Sequence, residues 1–397
     1  MKQTDLAGHD ERSGVALTLQ NKEFSAHEDA MKRRDFLKAS AAFAGAAAGG
    51  FSCVEFAAAA PIEAPLVDKL TVRVVVDLTH NIFLRPTTFN GMTLVPPPRS
   101  KDYTKELHTQ WGLSLLLDSV KSGEPRTLML DFAYTPEALL NNFEIIGANP
   151  TKINALVVSH GHFDHYGGLI GFLDKYRASL PAGVKLYAGG EDNFCHRVIP
   201  SGTAGEFSDF GYLDRRALAA RKVGVVLCET PTVIEGHAFT TGPIKRRTDE
   251  KILPNTLEQF GITADGLGCN VSHYAAAELA GKTVPDEHYH EHATVFHVKD
   301  RGLVVISSCS HRGVVNAVKQ AQEISGVDKL HALIGGFHLG PAPMDYTKHI
   351  VAEMMELGPD VVVPMHCSGQ NFVQAMQEIA PDRLLLGSAG ASLIFGA

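Results

Sequence analysis

The chain lacks the features that mark a nucleic-acid-binding or membrane-surface protein. Its 36 lysines and arginines are outnumbered by 44 aspartates and glutamates, a formal net charge of −8. No basic footprint for a polyanion results, so a small-molecule partner is expected and nucleic acid is not. Cysteine is also scarce: Cys53, Cys195, Cys228, Cys269, Cys309 and Cys367 stand at no metal-finger or redox-motif spacing. The odd, scattered set beyond residue 60 is no disulfide framework, although an oxidising destination would permit one or two bridges. There is no internal repeat, no low-complexity tract beyond the N-terminal region and no interdomain linker, so residues 61–397 read as one catalytic domain.

The first 60 residues carry a different signal. The segment from Lys32 to Lys38 places Arg33 and Arg34 ahead of an apolar, Ala/Gly-rich run from Ala39 to about Phe56. This resembles a twin-arginine export signal. Ala57 to Ala60 before Pro61 offer a cleavage site, and Gly49, Gly50 and Ser52 make the run weakly apolar for a stable membrane span. The expectation is a signal peptide over residues 1–60, engagement of the twin-arginine machinery and a periplasmic or secreted product. The alternatives are an uncleaved anchor or a chance basic pair beside a buried helix. A lipoprotein site at Cys53 fits less well, because Gly50-Phe51-Ser52 lacks the usual preceding apolar residue.

Beyond residue 60, short β-branched runs alternate with amphipathic stretches. Strands are expected from Leu70 to Val76, Gly112 to Leu117, Thr127 to Leu130, Ala155 to Val158, Val184 to Ala188, Val223 to Cys228, Leu303 to Ser307, Ala332 to Ile334, Val361 to Val363 and Leu384 to Phe395. Helices are expected from Pro136 to Ile146, Gly168 to Ala178, Val314 to Ser325 and Tyr346 to Leu357. Residues 188–300, rich in Gly, Pro, Thr and His, read as long loops and hairpins. Strands that come in runs as well as in alternation suit an α/β fold with two helix-covered sheets better than one doubly wound sheet.

The chemistry concentrates in His160-Gly161-His162-Phe163-Asp164-His165. A buried-strand pattern ends at Ser159 and a helix opens after Tyr166, so the cluster lies on a strand-to-helix loop. In an extended segment, side chains two apart lie on one side about 6.5 Å apart, so His160 and His162 can share a metal. Asp164 and His165 are adjacent and diverge, which suits a second metal beside the first. Gly161 allows close backbone approach, and Gly167 with Gly168 lets the helix start tightly against the sheet.

This run resembles the His-x-His-x-Asp-His signature of the metallo-β-lactamase superfamily. The segments Gly302 to His311, Ile334 to Leu339 and Pro364 to Cys367 are similar to the branch named after dihydropterin ribofuranosyl-aminobenzene phosphate synthase. The resemblance spans about Leu70 to the C-terminus. It implies an αββα sandwich of two mixed sheets, with a one- or two-metal site at one sheet edge. It also implies that His366 is the last metal histidine and that Asp131 buttresses the metal loop without binding metal, although Phe132-Ala133 replaces the usual Thr-Gly.

Where most superfamily members place a bridging aspartate, this chain has Cys309-Ser310-His311. Either His311 supplies the third metal motif or a histidine from the stretch Asp286 to His292 does, a solvated loop being the other reading of that stretch. Our expectation is that His311 ligates while Cys309 stays in the last packed layer. The expected metal ligands are therefore His160, His162, Asp164, His165, His311 and His366, with His338 and His292 as candidates for metal or substrate contact. Asp164 is the expected catalytic residue, and Lys245-Arg246-Arg247 reads as a solvated face or an anion contact. The implied cofactor is two divalent ions, zinc first, with manganese and iron open. The leading function is an exported metal-dependent hydrolase of an ester, lactone, amide or phosphoester. A synthase-like transferase, an iron-dependent redox protein and a non-catalytic metal-binding protein are the alternatives.

Overall fold

The structure, a computed structural model, describes residues 61–203, 205–253, 256–263, 266–271 and 283–396. The export segment, with Arg33, Arg34 and Cys53, lies outside the described residues. Among the described residues, no helix is long and apolar enough to cross a membrane.

Two large mixed sheets carry the fold. The first has nine strands, with Lys69–Val76, Ser114–Lys121, Glu124–Leu130, Ile153–Val158 and Lys185–Ala188 at its centre. The second has seven, running from Thr232–Ile234 through Thr294–Val298, Gly302–Ser307 and Leu330–Gly335 to Val361–Pro364. Strand parity explains why they pack face to face. Leu115 and Leu117 point to one side of their strand and meet Phe296, Val304 and Ile306 of the other sheet, whereas Leu116 points outward. The outer face of the first sheet is covered by the helices Pro136–Ile145 and Leu169–Tyr176 through Leu139, Phe143, Phe172 and Leu173. On the second, Leu303, Val305 and Val362 lie under Val314–Ser325, Met344–Glu356 and Gln370–Ile379. The resulting helix–sheet–sheet–helix layering is the expected αββα sandwich.

The structure amends two expectations and adds two helices. The final strand is confined to Ser392–Gly396; Leu384 makes only an isolated bridge to Val362, and Gly390 turns the chain at φ 83°. Residues 188–300 hold more order than long loops: Thr294–Val298 is a core strand, and His196–Pro200, Phe207–Gly211, Leu257–Gln259 and Thr283–Pro285 form a four-stranded sheet. The helices Arg215–Ala220 and Gln370–Ile379 were not anticipated.

One disulfide, Cys195–Cys269, closes 74 residues of chain and ties Gly268–Cys269 to the turn Glu191–Phe194. Closing a loop of that length restricts the unfolded chain by roughly 2–4 kcal/mol. A Cys195→Ala, Cys269→Ala variant is therefore expected to unfold at clearly lower urea concentration, with a stability loss in that range. An unchanged midpoint would mean that the bridge does not form.

Candidate metal centre

Parallel strands ending in register bring the chemistry to one edge. Leu130 pairs with Val157 and Val157 with Tyr187 in the first sheet, while Ser307, Gly335 and Pro364 line up in the second. Just beyond these carboxyl ends stand Asp131, His160 to His165, Cys309 to His311, His338 and His366. In open α/β sheets this is where ligands bind, since the loops there are free to converge.

Two donor sets form. In one, ligand atoms of His160, His162 and His311 all lie within 4.8 Å of one another, and the three side chains are buried. In the other, Asp164 Oδ2 is 3.2 Å from His366 Nε2 and 3.7 Å from His165 Nε2, and the two imidazole nitrogens are 3.2 Å apart. The structure thus brings all six expected ligands together. Their free valences fit divalent cations: His160 Nε2, both ring nitrogens of His311, Asp164 Oδ1 and His366 Nδ1 are buried without a hydrogen-bond partner. Buried polar atoms are rarely left so, and a metal satisfies an imidazole nitrogen or a carboxylate oxygen as fully as a proton donor does.

The rings are held from behind. Asp131 accepts hydrogen bonds from the Ser159 amide and hydroxyl at 2.8 Å each, and its Oδ2 lies 2.8 Å from His165 Nδ1. It adopts φ 58°, one of several left-handed residues here that include Ser310 (61°), His338 (44°) and His366 (48°). Such strain persists only where the surroundings over-determine the backbone, as at functional sites. Asp77 accepts the His366 amide at 2.8 Å, and Glu291 accepts the His311 and Arg312 amides at 2.9 and 2.7 Å. Sequence reasoning did not single out Asp77 or Glu291.

The segment Asp286 to His292 is no solvated loop. Asp286, His288, His290, Glu291 and His292 are all buried. The reason is Arg197, fully buried, which donates from Nε to Asp286 at 2.7 Å and from Nη2 to Glu258 at 2.6 Å. Asp286 in turn lies 2.6 Å from His288 Nδ1, and its partner Thr256 lies 2.9 Å from His162 Nε2. His288 stacks edge-on at 4.0 Å from His311, and with His162 and Asp286 it forms a further donor group. His292 sits differently: its Nε2 lies 2.9 Å from the Val158 carbonyl, so this candidate supports the strand before His160. Gly161 is required by the same Arg197, because a Cβ there would come within 2.4 Å of the guanidinium.

Cys309 is buried, as expected, and its Sγ also lies within 4.8 Å of ligand atoms of His160 and His165. Cys367 Sγ lies 3.1 Å away and His338 Nδ1 3.6 Å away. The chain turns at Ser310, at φ 61°, before the helix from Val314. His338 is half-buried against His311, 4.1 Å between ring centres. Lys245 to Arg247 lie away from this edge; the Lys245 and Arg247 amides donate to Gln320 and Asn316 of an outer helix.

Burial holds His160, His290 and His311 well below the ordinary histidine range and brings His162 to about 4. Burial works against the His366 cation too, but Cys367, Asp164 and Asp77 outweigh it and carry its pKa to about 9. In the metal-free chain a depressed folded-state pKa means that unfolded histidines take up protons first as pH falls. The stability from those four rings is complete above about 6.5 and falls as pH drops below it; for His162 the loss runs to about pH 4 and amounts to about 3 kcal/mol. His366 contributes in the opposite sense, losing its stabilisation as pH rises from 6.5 to 9. Thermal melts of metal-free protein are expected to drop steeply from pH 6.5 to 4, and a flat profile would contradict burial of these rings in neutral form.

Residues 115–251 match the family model described as metallo-beta-lactamase superfamily. The structure of Tm1679, a metal-dependent hydrolase of the β-lactamase superfamily, superposes with a TM-score of 0.59 over 81% of this chain and 98% of that one, at 21% identity. The chain therefore has the metallo-β-lactamase fold. Among curated proteins, the 7,8-dihydropterin-6-methyl-4-(β-D-ribofuranosyl)-aminobenzene-5′-phosphate synthase of Methanocaldococcus jannaschii is 28% identical over 273 residues, 67% of this chain and 84% of that protein. An uncharacterized protein of the same archaeon, MJ0448, is 23% identical over 281 residues, 69% and 90% of the two chains.

Proposed function

We propose that the chain is an exported metal-dependent hydrolase that directs water onto an ester, lactone, amide or phosphoester. The observation that carries this reading is the convergence of two adjoining donor sets in which His160 Nε2, both His311 nitrogens, Asp164 Oδ1 and His366 Nδ1 are buried without a hydrogen-bond partner. His160, His162 and His311 would hold one divalent ion, and Asp164, His165 and His366 the other. Bound there, such ions lower the pKa of water toward neutrality and polarise a carbonyl or phosphoryl oxygen. Burial alone would raise the Asp164 carboxyl, but His165 and His366 hold it well below its ordinary range. It therefore stays ionised and serves better as a ligand and hydrogen-bond acceptor orienting water than as a carrier of protons. A cavity of about 310 Å³ adjoins His366, lined by Asp77, Thr79, Gln370, Val373 and Leu386, and offers the substrate a seat. Trp111, half exposed and 5.1 Å from the His366 ring, gives the approach an aromatic wall.

Export is supported by the Arg33-Arg34 pair and by the Cys195–Cys269 bridge, which suits an oxidising compartment. A synthase-like transferase is the second reading, favoured by the relative that is 28% identical over most of its length. The deciding experiment pairs a panel of phosphodiesters, lactones and aryl esters with the reaction named for that relative, run on purified protein of known metal content. Turnover of a hydrolysable substrate without a phosphoribosyl donor supports hydrolysis. Product formed only when such a donor is present overturns it, and a coloured, iron-loaded, hydrolytically silent protein favours redox chemistry.

A further inference from the structure

We propose that Cys309, Cys367 and His338 form a sulfur-rich subsite for a thiophilic cation such as zinc, cadmium or cuprous ion, beside the imidazole–carboxylate centre. The two sulfurs are 3.1 Å apart and His338 Nδ1 is 3.6 Å from Cys309 Sγ. Metal–sulfur bonds of about 2.3 Å and metal–nitrogen bonds of about 2.0 Å place the donors of a tetrahedral site roughly 3.5–3.8 Å apart. The nitrogen–sulfur spacing already fits, and the sulfurs need to open by about 0.7 Å, which a small rotation of either side chain supplies. The fold prepares the place: the His338 amide donates to Cys367 Sγ at 3.3 Å, and a Cβ on Gly336 would stand 2.7 Å from that sulfur. Two thiols and an imidazole with no carboxylate form a soft set, unlike the harder set of Asp164, His165 and His366. His311, whose ligand atom lies within 4.8 Å of those of Cys309 and His338, joins this subsite to the first donor set. The assignment does not depend on the chain being a hydrolase.

The test is a cadmium titration of the full zinc-loaded chain, followed by ultraviolet sulfur-to-metal charge transfer and by elemental analysis. The wild type is expected to develop the absorption and to bind about one cation more than Cys367→Ser. His338→Ala should keep the absorption but bind cadmium at least about tenfold more weakly. Cys228→Ser, a buried free thiol whose Sγ lies 3.9 Å from the Val226 carbonyl, should behave as wild type, and circular dichroism identifies any variant that fails to fold. If Cys367→Ser loses its fold, Cys367→Ala and thiol-alkylation protection by cadmium in the wild type answer the same question. Absence of charge transfer in the wild type with both thiols free would overturn the proposal. So would a Cys309–Cys367 disulfide that persists in the presence of the cation.

Discussion

Asp164→Asn is expected to lower hydrolytic kcat/KM by about 10²- to 10⁴-fold and to release one of two bound metal ions while the protein stays folded. The substitution keeps the side chain's shape and removes its charge. Asp164 Oδ2 lies between His366 and His165, at 3.2 and 3.7 Å, and Oδ1 has no hydrogen-bond partner. A neutral amide oxygen is a much weaker metal ligand than a carboxylate and carries no charge to pair with a protonated His366, so that donor set loses its only anion. The loop itself should hold, because the Asp164 carbonyl accepts the Leu113 amide whatever the side chain. Steady-state kinetics with elemental analysis check this. Full metal content in the variant would mean that the two-set layout is wrong.

The second large effect is on stability. Arg197→Met should cost about 3–5 kcal/mol, because removing one partner of a buried ionic group strands the others. Asp286 and Glu258 would both lose their guanidinium contacts of 2.7 and 2.6 Å in a site closed to water. His162 and His288, aligned through Asp286 and Thr256, should lose their placement as well, so weaker metal retention should accompany the fall in stability. Urea unfolding of metal-free protein measures the first effect without the second. A loss below about 1 kcal/mol would show that Arg197 is not the counter-charge of the histidine-rich segment.

These two residues also mark how far the sequence could be read. Asp164 was legible because its neighbours are contiguous: a strand of apolar residues ends at Ser159, and four ligand-type side chains follow within six positions. The sandwich was legible for a similar reason, since runs such as Leu303 to Ile306 and Val361 to Val363 are uniformly apolar, as strands buried on both faces must be. Arg197 was not legible. It stands 89 residues from Asp286 and 61 from Glu258, and nothing local distinguishes it from a surface arginine. Without it the run from Asp286 to His292 had no reason to be buried. Cys309 was legible as a buried residue at a strand's end, but its approach to Cys367 was not, because the two stand 58 residues apart. The helix Gln370–Ile379 was legible in principle and overlooked, since Phe372, Ala375, Met376 and Ile379 keep the i, i+3, i+4, i+7 spacing of an amphipathic helix.

The central claim is that the six side chains gathered at this sheet edge hold catalytic metal. The direct measurement is elemental analysis and hydrolysis of the same purified protein before chelation, after it, and after metal is restored. The account predicts about two divalent ions per chain, loss of turnover on chelation and its return with added zinc or another divalent ion, with His160→Ala unable to recover. Undiminished turnover in protein freed of metal, or metal content unchanged by His160→Ala, would contradict it.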